Sequence, residues 1–155
     1  RSYEPLDIVS VPVPDDLYCT VIHPKIELRT EVSRNILRKQ IELKTATKQM
    51  GNIAGLIAGL YSNDYELIGR SLHDYIAEPL RSVLIPGFND LISAATEAGM
   101  LGGGISGSGP SIYTLNKGLE TAKKVVEALE NTIKHMDMEY EIHISGISKS
   151  GCIIL

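Results

Sequence analysis

The apolar positions change period several times along the chain, and each change predicts an element. Residues 6–13 and 17–22 are rich in β-branched and apolar types and are separated by Pro14, Asp15 and Asp16, so they read as two strands joined by a turn. Pro24 ends the second strand. With Thr30 as N-cap, Val32, Ile36 and Leu37 keep helical spacing up to a break over residues 38–42. A longer helical period follows, in which Leu43, Met50, Ile53, Ile57 and Leu60 are expected to form the buried face. On the same segment Gly51, Gly55 and Gly59 recur every fourth residue, leaving one face open to close approach by another helix. Asp64 is placed to cap a third helix that turns Leu67, Ile68, Leu72 and Ile76 inward, and Pro79 disfavours helical geometry at Glu78.

The last third has the clearest period. Pro86 and Gly87 punctuate before a helix over residues 89–98, and Leu119, Ala122, Val126, Leu129 and Ile133 follow the three-four spacing of an amphipathic helix. Residues 111–115 read as a strand. Tyr140, Ile142 and Ile144 alternate with Glu139, Glu141, His143 and Ser145, the pattern of a strand with one wet face. Strands, several helices, then strand, helix and strand predict an α+β fold, an antiparallel sheet with helices packed on it, as one domain over residues 1–155.

Composition narrows the function classes. A chain of 155 residues that is 43% apolar can bury an ordinary core. Its 15 basic and 19 acidic side chains give a net charge of −4, which argues against a nucleic-acid partner and for a small molecule. The most apolar run, residues 50–61, is about half of what a membrane span requires, so no membrane association is expected. Cys19 and Cys152 lack metal-ligand spacing and suit free thiols in a reducing cytoplasm rather than a disulfide. The start on Arg1 and Ser2, without Met and directly before strand-like sequence, suggests part of a longer protein.

The segment GGGISGSGP, residues 102–110, concentrates the candidate chemistry. Gly102, Gly104 and Gly107 satisfy G-x-G-x-x-G, but the dinucleotide fingerprint follows a strand and opens a helix, whereas here a helix precedes and a strand follows. A P-loop is excluded because Pro110 stands where Lys should follow the last glycine. The nucleophile elbow fails because the residue two after Ser106 is Ser108. What remains is a loop in which Gly102, Gly103, Gly104, Gly107 and Gly109 let backbone N–H groups approach an anion, with Ser106 and Ser108 adding hydroxyls. A simple wide hairpin would have the same composition. His23, His73, His135 and His143 are not paired in sequence with a nucleophile or metal ligand and read as structural or exposed.

The phrase GGGISGSGPSIYTL resembles the third motif of the GHMP small-molecule kinases, which lies in their carboxy-terminal domain. EPLDIVSVPVPDD at residues 4–16, TEVSR at 30–34 and HDYIAEPLRSVLIPGF at 73–88 narrow the resemblance to the homoserine kinases. The resemblance implies a ferredoxin-like core with extra helices, and transfer of the γ-phosphoryl group of ATP to the side-chain hydroxyl of L-homoserine, a step towards threonine. It further implies that Arg34 and Arg81 bind the substrate carboxylate, for which a guanidinium fork is suited. Thr30, one turn before Arg34, adds a hydroxyl on the same face. Glu78 or Asp74 is a candidate to orient Arg81 by a salt bridge, and Arg29, Arg38 and Arg70 read as surface residues.

The family's main nucleotide loop, and its Glu and Ser for Mg²⁺, have no counterpart in these residues. An amino-terminal nucleotide-binding domain is therefore expected outside this chain as its partner, together with ATP and Mg²⁺. Residues 1–155 alone are expected to be inactive, with no catalytic base or metal ligand of their own. Apolar surface facing the rest of the protein could instead pair two copies as a homodimer. The competing readings are a related kinase for mevalonate or a sugar, and a stand-alone amino-acid-binding regulatory module.

Overall fold

The structure is a computed structural model that describes residues 2–150; Cys152 lies outside the described residues. The short strands β1 (Ser2–Tyr3) and β2 (Leu6–Asp7) pair in an antiparallel ribbon. The main sheet comprises β3 (Leu17–Pro24), β4 (Gly102–Ile105), β5 (Ile112–Lys117) and β6 (Tyr140–Gly146), all antiparallel to their neighbours in the order β4-β5-β3-β6. Because β3 lies between β5 and β6, those two run parallel and are joined by the crossing helix α6. This is the split β-α-β arrangement, so the ferredoxin-like α+β expectation holds.

Alternation along the strands explains the core. Thr20 and Ile22 on β3 and Ile112, Thr114 and Asn116 on β5 are buried on one face. Against it pack α5 (Phe88–Glu97), through Leu91 and Ala95, and α6 (Leu119–Ile133), through Val125, Leu129 and Ile133. The buried Asn116 amide donates to the hydroxyls of Thr20 and Thr114, 3.1 Å each, which offsets the cost of taking an amide out of water.

Four further helices lie between β3 and α5: α1 (Thr30–Asn35), α2 (Leu43–Ser62), α3 (Tyr65–Arg70) and α4 (Glu78–Arg81). Asp64 caps α3 as expected, accepting from Leu67 N at 2.9 Å. Other expectations need correction. Over residues 6–13 only Leu6 and Asp7 form a strand; Ile8 and Val9 are exposed, because an apolar segment without a partner backbone completes no ladder. The N-cap of α1 is Arg29, and Thr30 is the first helical residue. Helix α3 ends at Arg70, short of Leu72 and Ile76. Glu78 is helical, since Pro79 sits in the first turn of α4, where a missing N–H is harmless.

The largest correction concerns α2. Leu43, Met50, Ile53 and Ile57 are 82%, 69%, 57% and 38% exposed and Leu60 is half-buried, so most of the apolar stripe faces outward. The opposite, glycine face is the packed one: a Cβ at Gly59 would lie 2.9 Å from Ile68, and one at Gly55 2.5 Å from Ser71 Oγ. Small residues let α3 come closer than the stripe would allow. No helix among the described residues is long and apolar enough to cross a membrane.

Candidate functional site

The site is organised from the start of α4. Asp74 accepts hydrogen bonds from the backbone N–H groups of Ile76 (2.7 Å), Ala77 (3.0 Å) and Glu78 (3.1 Å), fixing the helix's first turn. Glu78 and Arg81 then stand three residues apart, a spacing that puts them on one helix face. Arg81 donates from Nε to the Ser33 carbonyl (2.9 Å) and from Nη1 to the Gly107 carbonyl (2.8 Å). One side chain thereby ties α1, α4 and the glycine-rich turn together.

Neither acidic residue pairs with Arg81. Asp74 is committed to the helix start, and Glu78 Oε2 accepts from Ile105 N at 3.3 Å. Each charge instead meets the oppositely signed end of a backbone dipole, N–H groups for the carboxylates and carbonyls for the guanidinium. Burial pushes the Glu78 carboxyl above its usual range, the Ile105 N–H opposes the shift, and Asp74 adds to it. The Tyr113 phenol is raised too, by burial first and then by Glu78.

Gly102, Gly103 and Gly104 are part of β4 rather than of a loop, each opposite a residue of β5. The turn proper is closed by Ser106 N to Ser111 O (2.8 Å) and Gly109 N to Ser106 O (3.0 Å). Ser106 and Gly107 are exposed, Ser108 and Gly109 half-buried. Among the described residues, the N–H groups of Gly107 and Ser108 have no hydrogen-bond acceptor. At the foot of the turn His23 Nδ1 meets Ser111 Oγ at 2.8 Å, and His135 and His143 are exposed.

Thr30 and Arg34 are both exposed on α1, and the Arg34 guanidinium is unpaired among the described residues. Between them and the turn lies Ser33, fully buried, whose hydroxyl has no partner among the described residues. Sequence reading passed over Ser33; its one signal was a small polar residue between the helix start and Arg34. It also missed a cleft of about 310 Å³ between the segment leading into α2 and the start of α4, lined by Arg38, Glu42, Tyr75, Pro79 and Leu80 among others. Among the described residues no group of three or more His, Cys, Asp or Glu side chains is placed to hold a metal ion.

The family model described as "GHMP kinases C terminal" matches residues 56–135. A homoserine kinase of Chlorobium phaeobacteroides is 51% identical over the whole chain, which covers 49% of that protein. The crystal structure of homoserine kinase from Cytophaga hutchinsonii superposes with a TM-score of 0.94 at 50% identity, over 97% of this chain and 48% of that one. A mevalonate kinase of L. major in complex with R-mevalonate shares the fold, with a TM-score of 0.67 at 13% identity over 89% of this chain and 45% of that one. The chain thus spans about half the length of the curated relatives it matches.

Proposed function

The chain belongs to the GHMP kinase family as a carboxy-terminal domain, and from that premise we propose that it is the carboxy-terminal half of a homoserine kinase. The reading rests chiefly on one observation: Arg81 brings α1, α4 and the 106–109 turn to one place. Half-sequence identity to homoserine kinases over the full chain supports the same substrate.

In this reading the exposed Arg34 fork grips the carboxylate of L-homoserine, and Arg81 contributes the donors not committed to backbone carbonyls. Thr30 adds its hydroxyl from the same face of α1. The 106–109 turn supports phosphate through the free N–H groups of Gly107 and Ser108 and the hydroxyls of Ser106 and Ser108, with Gly102, Gly103, Gly104 and Gly109 shaping its flanks. Bound ATP supplies the γ-phosphoryl group. The chain's own contribution is orientation and charge, which suffices for a large share of phosphoryl-transfer catalysis. This half does not fit Mg²⁺: Asp74 and Glu78 serve backbone N–H groups, and no cluster gathers among the described residues.

We assign the outward stripe Leu43, Met50, Ile53 and Ile57 of α2 to docking of the amino-terminal half, which would complete the nucleotide site. The whole enzyme would work in the cytoplasm, on a step of threonine biosynthesis. The test is ADP release by the full-length protein with Mg-ATP and homoserine, mevalonate or galactose. Turnover on homoserine alone supports the reading; turnover on mevalonate or galactose alone overturns it. Residues 1–155 by themselves should release no ADP above background.

A further inference from the structure

We propose that Glu78 is a positioning residue that clasps β4 to α4, so that Arg81 and the glycine-rich turn act on the substrate as one rigid unit. The inference rests on the kinase reading above for its consequence, but on geometry for its existence. β4 is an edge strand, bonded to β5 on one side. Glu78 Oε2 accepts the Ile105 N–H at 3.3 Å. Three residues on, Arg81 holds the Gly107 carbonyl at 2.8 Å. A four-residue helix thus grips the strand end and the turn at two points of opposite polarity, and Asp74 in turn fixes that helix's start.

Gly104 is the counterpart of the clasp. A Cβ there would run into Glu78 Oε2, so the absence of a side chain gives the carboxylate its place beside the strand. The groups facing Glu78 are Asp74 and His73 from the segment before α4 and Tyr113 from β5, with no cation paired to its carboxylate among the described residues. Half-burying an ionised carboxylate without a salt bridge is unfavourable for folding, which points to a role in function rather than in stability.

The experiment uses the full-length protein with homoserine and Mg-ATP. Glu78→Ala should lower kcat about 10- to 100-fold, as expected for a loop displaced by up to about 1 Å. Glu78→Gln, whose amide oxygen can accept the same N–H, should recover kcat to within about threefold of the parent. Gly104→Ala should fold, because the flexible carboxylate can swing aside, yet lose kcat as Glu78→Ala does; in the double variant the losses should be far from additive. In the parent, the Ile105 amide proton should shift with pH as Glu78 ionises, and in Glu78→Gln that shift should vanish. Unchanged kcat in Glu78→Ala, additive losses, or an Ile105 amide that ignores Glu78 would each overturn the clasp. If the protein transferred no phosphoryl group to homoserine, the kinase reading would fail, and the Ile105 titration would still decide the clasp.

Discussion

Arg81→Ala removes two charge-assisted hydrogen bonds at once, those to Ser33 O at 2.9 Å and Gly107 O at 2.8 Å. Bonds to charged donors contribute roughly 1.5–3 kcal/mol each. Arg81 is half-buried and the Gly107 contact is exposed, so the freed carbonyls regain water and the low end applies. The expected loss is about 3 kcal/mol, or roughly 6–12 °C in the melting midpoint of a chain this size. Arg81→Lys keeps a cation with three donors but not the fixed fork that spaces the two bonds, so it should lose about half as much. Urea denaturation of the 155-residue chain, with an unchanged dependence on denaturant, reads this directly. An Arg81→Ala midpoint within about 0.5 kcal/mol of the parent, or a lysine variant as unstable as the alanine one, would refute the three-way tie.

Three further outcomes are expected. Asp64→Ala removes the cap from α3 and should cost about 1 kcal/mol in the same assay. The raised Glu78 carboxyl favours folding when protonated; that contribution is present below the ordinary value of 4.5 and is lost as pH rises through the higher folded value. Urea midpoints should therefore show Glu78→Gln gaining on the parent between acid and neutral pH, and a constant difference would contradict the assignment. Ile53→Asp, on the outward face of α2, should leave the stability of the 155-residue chain within about 0.5 kcal/mol but lower the midpoint of the full-length protein; calorimetry of both forms checks the pair.

The parts of the fold legible in the sequence were those where one period governs a whole element. Helix α6 buries Ala122, Leu129 and Ile133 as its spacing predicts, although Val125 rather than Val126 completes the buried face and Leu119, at the helix start, is exposed; β6 turns Glu141, His143 and Ser145 to water. Helix α2 shows where that logic stops: periodicity identifies an apolar stripe but not what covers it, and here the covered face is the one with Gly55 and Gly59. At the site, the segments holding Arg34, Arg81 and the glycines were recognised by resemblance, and the Arg81 side chain joins the other two through the carbonyls of Ser33 and Gly107. The partners of Glu78 and Asp74 were not legible. Both bind backbone N–H groups, one of them 27 residues away, and a backbone partner leaves no signature in residue type. The first glycines of the motif were likewise read as loop, because glycine weakens a strand and nothing local announces that β5 will pair with it.

As proposed, Arg34, Arg81 and the 106–109 turn should form one wall against the substrate. A crystal structure of the full-length protein with L-homoserine and a non-hydrolysable ATP analogue tests it most directly. The amino-acid carboxylate should lie on the Arg34 guanidinium and a remaining donor of Arg81, with the terminal phosphate facing the turn. A homoserine seated elsewhere, for instance in the cleft lined by Arg38 and Tyr75, with both arginines left to solvent, would contradict it.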